Sequence, residues 1–216
     1  MLSRIYSAGL LGLEARIIEI EVDASYGMRH FNIVGLPDKA IEESKERIGS
    51  ALQNSGFLSP QKRPIRVLVS LAPADLKKEG SLYDLPIALA CLLSTQQASF
   101  ETEKKLFLGE LNLQGKLRPI KGVLSAALLA KKENFQEIIL PKENAKEACL
   151  VKGLKITPLE NLREAVDYLE KRKEISFSAS PKNLFKKEVD YSLDFSYIRG
   201  QEYAKRALEI VAAGSH

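Results

Sequence analysis

Apolar and polar residues alternate through 15-ARIIEIEVDAS-25, placing Ile18, Ile20 and Val22 on one side, and this predicts a half-buried strand. Tyr26-Gly27-Met28-Arg29 reads as a turn and 30-HFNIVGL-36 as a second strand. The stretch 37-PDKAIEESKERIGSALQNSGF-57 opens with proline, sets Ile41, Ile48, Ala51 and Leu52 on one helical face and closes at Gly56, so a helix is expected. A strand follows at 63-RPIRVLVSL-71, and then a polar segment leads into the apolar run 85-LPIALACLL-93, a second helix.

Two alternating runs around Gln114-Gly115 within 105-KLFLGELNLQGKLRPIKG-122 predict a hairpin. Helices are expected at 123–134, 143–151 and from Asn161 to about Lys173, with strands at 137–141 and 154–159. The chain is therefore strand-rich early and alternating later, an α+β or α/β sandwich. After about Lys173 the period fades. Residues 174–197 are polar, hold Pro181 and read as a linker. The segment 198-IRGQEYAKRALEIVAAGSH-216 carries Ala204, Ala207, Leu208 and Val211 in helical phase. A new helix that begins a unit and then stops predicts that 1–173 form the body and 198–216 open a module belonging to a longer protein.

The polar segment Asp75, Lys77, Lys78, Glu79, Ser81, Tyr83 and Asp84 admits two readings. It is either a catalytic loop with a serine or lysine nucleophile, or a strand-to-helix turn in which Asp84 caps the following helix and Pro86 occupies its first turn.

Composition narrows the choice of function. A chain of 216 residues, 45% hydrophobic and 28% charged, can bury a full core, and a net charge of +4 permits a nucleic-acid partner without requiring one. No apolar run reaches the length of a membrane span and the start lacks a signal-peptide pattern, so a cytosolic protein is expected. Cys91 and Cys149 both lie in apolar surroundings, which predicts two reduced, buried thiols. With only His30 and His216, no metal site or histidine-based triad is expected. A phosphate-cradling loop needs two glycines at fixed spacing before Lys-Ser/Thr. The nearest stretch, Gly109 to Lys116, has one residue too many and is followed by Leu117, so no nucleotide cofactor is expected within the chain itself.

The blocks IVGLPDKAIEESKERIGSAL, LAPADLKKEGSLYDLPIALA and LFLGELNLQGKLRPIKGVLSAALLAKKE resemble, in that order, the N-terminal domain of the YifB/ComM family of magnesium-chelatase-like AAA+ proteins. The likeness runs from about Ser3 to Lys173. The terminal stretch resembles the entry to that family's AAA+ module, just ahead of its Walker A loop, with Ile198, Arg199, Gly200 and Gln201 placed near adenine. The resemblance implies a Lon-protease-like fold, akin to ribosomal-protein domain 2, and ATP and magnesium as cofactors of the longer protein. Lon peptidases pair a serine with a lysine. In the matching motifs the serine's place falls near Tyr83, with Ser81 two positions early, and the lysine's place is taken by Leu124, with Lys121 three positions off. No peptidase activity is therefore expected.

The resemblance also implies a hexameric helicase that drives branch migration during natural transformation, with this domain as a non-catalytic, DNA-engaging ring. Single-stranded or branched DNA would be held by cations that reach phosphate. The candidates are Arg29 and His30, Lys62 and Arg63, Lys77 and Lys78, Lys131 and Lys132, and Lys186 and Lys187. The alternative is a protein-interaction or chaperone-like domain of a magnesium-chelatase-type ATPase.

Overall fold

The computed structural model describes residues 1–177 and 194–214. Lys186 and Lys187, most of the expected linker and His216 lie outside the described residues. The chain divides into two compact units, Met1–Pro181 and Lys182–His216.

The first unit opens with a strand that the apolar pattern does not announce, β1 (Leu2–Leu11), which pairs antiparallel along its length with β2 (Glu14–Tyr26). β3 (His30–Val34) precedes helix α1 (Lys39–Asn54), and β4 (Ile65–Ala72) precedes α2 (Asp84–Ser94). β5 (Lys105–Phe107), β6 (Glu110–Leu111) and β7 (Leu117–Arg118) come next, followed by α3 (Val123–Lys132), β8 (Glu137–Pro141), α4 (Ala145–Ala148), β9 (Lys155–Leu159) and α5 (Leu162–Leu169).

Seven strands make one mixed, mostly parallel sheet in the order β3-β4-β2-β1-β5-β8-β9. The expected hairpin is smaller than its alternating pattern: only Glu110–Leu111 and Leu117–Arg118 pair, while β5 joins the large sheet beside β1 and β8. The expected helix at 143–151 shortens to α4 preceded by a 3-10 turn, and α5 ends at Leu169 because Lys171 turns to a left-handed conformation at φ +61.

Neighbouring residues of β8 show how the core divides. Ile139 packs with α1, α2 and α5 through Ile48, Leu52, Ile87, Leu89 and Val166, whereas Ile138 and Leu140 pack with α3 and α4 through Val123, Ala127 and Ala148. Helices thus cover both faces, and each fully buried aliphatic side chain contributes about 1.5–3 kcal/mol. The second face is covered over β9, β8, β5, β1 and the start of β2, leaving His30, Asn32, Val34 and Arg66 of β3 and β4 open to solvent. Cys91 is buried as expected, but Cys149 is only half-buried.

In the second unit Asp194 caps a 3-10 turn at Phe195–Tyr197, accepting from the Ser196 amide at 2.7 Å, and α6 spans Glu202–Gly214. The residues proposed from sequence to lie near adenine, Ile198 to Gln201, form the exposed turn between them, with Gly200 and Gln201 at φ +69 and +60. Among the described residues no helix is long and apolar enough to cross a membrane, and no three His, Cys, Asp or Glu residues gather as metal ligands.

Candidate nucleic-acid interface

The polar segment after β4 is a joint built around Asp38. Oδ1 of Asp38 accepts from the Ile41 amide at 2.9 Å and caps α1, while Oδ2 accepts from the Gly80 amide at 2.9 Å. The backbone of Lys78 adds a donor to Leu36 and an acceptor for Asp38. The sequence makes Asp84 the expected cap of α2, and the structure corrects this: Tyr83 holds the cap position and Asp84 is the first helical residue, fully buried. Its carboxylate takes Nε and Nη2 of Arg47 at 2.9 and 3.1 Å and the Leu111 amide at 3.2 Å. Burial pushes its pKa up to about 6 against the opposing pull of Arg47.

Two of the sequence candidates sit in this joint and fare differently. Lys78 is 1% exposed, its amine donating to the Pro73 carbonyl, and burial lowers its pKa. It cannot reach a phosphate, which corrects its candidacy. Lys77 is exposed and pairs with Glu79 at 2.8 Å. Ser81 donates to Glu110, Tyr83 is buried with its hydroxyl against Gly9, and Leu124, in the first turn of α3, is half-buried against the core. Among the described residues no lysine amine bonds to Ser81.

At the far end of the sheet other candidates converge. β2 and β3 are joined by a turn anchored where the Gly27 amide donates to the Pro64 carbonyl at 3.0 Å, which sets the turn beside the approach to β4. His30 pairs in register with Arg66, and Arg66 with Ser25, so His30 and Arg66 lie side by side on the uncovered sheet face. On the helix side, Arg29, His30 and Phe31 line a groove of about 250 Å³ with Lys45 and Glu46 of α1 and with Pro60 and Gln61. Gln61 holds that wall in place by donating to the Lys45 carbonyl at 3.2 Å, and Lys62 and Arg63 continue the same turn. Among the described residues, Arg29, His30, Lys45, Lys62, Arg63 and Arg66 form no ion pair with a carboxylate.

Arg29, His30, Lys62 and Arg63 were legible as candidates; Lys45 and Arg66 were not, because only the fold carries α1 and β4 to this end. Lys131 and Lys132 lie apart, at the end of α3, with Lys131 donating to the Lys152 carbonyl at 2.8 Å.

A larger cleft, of about 1120 Å³, opens where β5, β8 and β9 begin. Its central carboxylate, Glu137, accepts from Thr157, Tyr168 and, at 3.2 Å, Lys155, so these groups satisfy one another. Lys105, Lys155, Lys171 and Lys173 in its lining are matched by Glu101, Glu137, Glu170 and Glu174, which offers a polyanion no net attraction.

Comparison with known proteins bears on the whole body. The family described as subunit ChlI of magnesium chelatase matches residues 20–144, more than half of the chain.

This chain belongs to the magnesium-chelatase ChlI family.

Within it, competence protein ComM of Haemophilus influenzae is 39% identical over 220 residues, covering 100% of this chain and 42% of ComM, and YifB of Escherichia coli is 36% identical over 216 residues, covering 100% of the chain and 41% of YifB. The chain thus spans less than half the length of these ChlI-type relatives. A Lon protease of Karelsulcia muelleri is 34% identical over 100 residues, 41% of this chain and 12% of that protein. The family match takes in the groove, the Asp38 joint and the Arg47–Asp84 pair.

Proposed function

We propose that this chain is a non-catalytic, DNA-engaging domain of a magnesium-chelatase-like AAA+ motor, and that its body has the Lon-like form. The observation that carries the reading is the convergence of Arg29, Lys45, Lys62, Arg63 and Arg66 with His30 at one end of the sheet, without carboxylate partners among the described residues. Cations left unpaired by the protein are free to exchange counterions with a phosphate backbone. The word competence in the name of the Haemophilus relative agrees with it. In the longer protein, ATP and magnesium would be bound beyond the turn at Ile198–Gln201. A hexamer would multiply weak contacts through effective concentration, as branch migration in the cytosol requires. Peptidase chemistry has no support, since Ser81 faces a carboxylate and Leu124 cannot act as a base.

Fluorescence anisotropy of this chain with labelled DNA tests the reading. Binding should weaken steeply as salt rises, and the pair Arg29→Glu and Arg63→Glu should weaken it further with the fold intact by circular dichroism. Binding indifferent to both substitutions would overturn it. The second reading, a protein-contact domain, is favoured by one observation: Leu11 and Leu13 at the β1–β2 turn stand exposed beside Leu128, with Ser125 donating to the Leu13 carbonyl at 2.8 Å. Absence of any DNA affinity at low salt would favour it.

A further inference from the structure

Resting on the reading of this chain as DNA-engaging, we infer that the groove between the β2–β3 turn and α1 takes a single unpaired nucleobase, and that Tyr26 stacks the base next to it. The site therefore distinguishes unpaired from paired strands.

The groove, at about 250 Å³, is smaller than the roughly 300 Å³ at which drug-sized pockets begin, which suits one flat ring system. Its apolar wall comes from Phe31, half-buried against the core, and from Pro60. Arg29, exposed, and Lys45, half-buried, are the cations of the lining, available to the phosphates that flank a base. Glu46 shares the lining, and its charge decides what enters. A carboxylate repels phosphate but accepts a hydrogen bond from a base edge, so the base occupies the groove and the backbone stays outside.

Tyr26 supplies the second surface. Ala24 and Ile65 pack against the core beneath α1 and α2. Tyr26 lies two residues beyond Ala24 and opposite Ile65, so alternation puts it on that same side of the sheet, past the end of the core. It is 89% exposed, and Met28, two residues on, is 90% exposed. Two large apolar side chains held in water beside unpaired cations gain no folding energy where they stand. Aromatic faces interleaved with basic residues are the means by which proteins hold single strands, because each base has a π-face that is hidden inside a duplex.

The test compares a short labelled single strand with a duplex of equal length, bound to the full 216-residue chain. Tyr26→Ala should lower single-strand affinity roughly five- to a hundred-fold while duplex affinity stays unchanged, and Tyr26→Phe should restore it. Photo-crosslinking of a bromodeoxyuridine-substituted strand should map by mass spectrometry to Tyr26 or Phe31. Equal losses for both DNAs, no loss with Tyr26→Ala, or crosslinks confined to other residues would overturn the inference. In each of those cases binding that still falls with Arg29→Glu and Arg63→Glu leaves the DNA-engaging reading standing. A chain that binds neither DNA at low salt overturns both.

Discussion

Arg47 of α1 closes on Asp84 of α2 through two parallel hydrogen bonds, Nε to Oδ2 at 2.9 Å and Nη2 to Oδ1 at 3.1 Å. The pair ties the two helices that cover one face of the sheet, and the Leu111 amide, at 3.2 Å, adds the small hairpin to the same carboxylate. Removing the acceptor leaves the Arg47 guanidinium and the Leu111 amide without their shared partner, so Asp84→Ala should destabilise the fold by about 3 kcal/mol. Urea unfolding measures this directly.

The same carboxyl predicts a pH dependence. Burial raises its pKa from 3.8 in the unfolded chain to about 6 in the folded one, so the folded state holds this proton more tightly. The contribution to stability is complete below the unfolded value and is lost as pH rises through about 6. Unfolding midpoints measured between those two values should show a downward component with rising pH that disappears in Asp84→Asn.

Adjacent lysines should behave as opposites. Lys77→Glu changes an exposed side chain paired only with Glu79, and its unfolding midpoint should match the parent. Lys78→Glu sets a carboxylate against the Pro73 carbonyl in a buried site and should cost about 3 kcal/mol or more. Parallel denaturation of the two variants separates a surface charge from a structural one, and a double reversal would confuse them.

Thiol labelling should split in the same way. Burial pushes the Cys91 thiol up to about 12, so almost no thiolate forms at neutral pH, whereas Cys149 borders a surface groove. A maleimide should modify one thiol per native chain and two after unfolding, with Cys149→Ser abolishing the native signal. Rapid native labelling of Cys91 would contradict the packing of α2.

The sequence by itself determined the elements whose own side chains carry their pattern. β2 announces itself because Ile18, Ile20 and Val22 are the residues it buries, and α1 because Ile41, Ile48 and Leu52 share one face. β1 buries Ser3, Ile5 and Ser7 instead, and two serines among the inward positions erase the apolar alternation. Only the tertiary structure could place it, since the Ser3 hydroxyl is made tolerable there by the Ala90 carbonyl at 2.8 Å, across 87 residues of chain. The candidate site divides along the same line. Arg29, Lys62 and Arg63 stand in turns and His30 opens β3, where polar side chains meet solvent, and so were legible. Lys45 and Arg66 join them because the middle of α1 and the start of β4 meet the β2–β3 turn at the same edge. Lys78 and Asp84 were misread because a charge in a polar segment looks solvated until distant groups surround it: a carbonyl at Pro73 for one, a guanidinium from Arg47 for the other. Periodicity is a local property and survives in the sequence, whereas the desolvation and pairing of a charge depend on which remote segments pack around it.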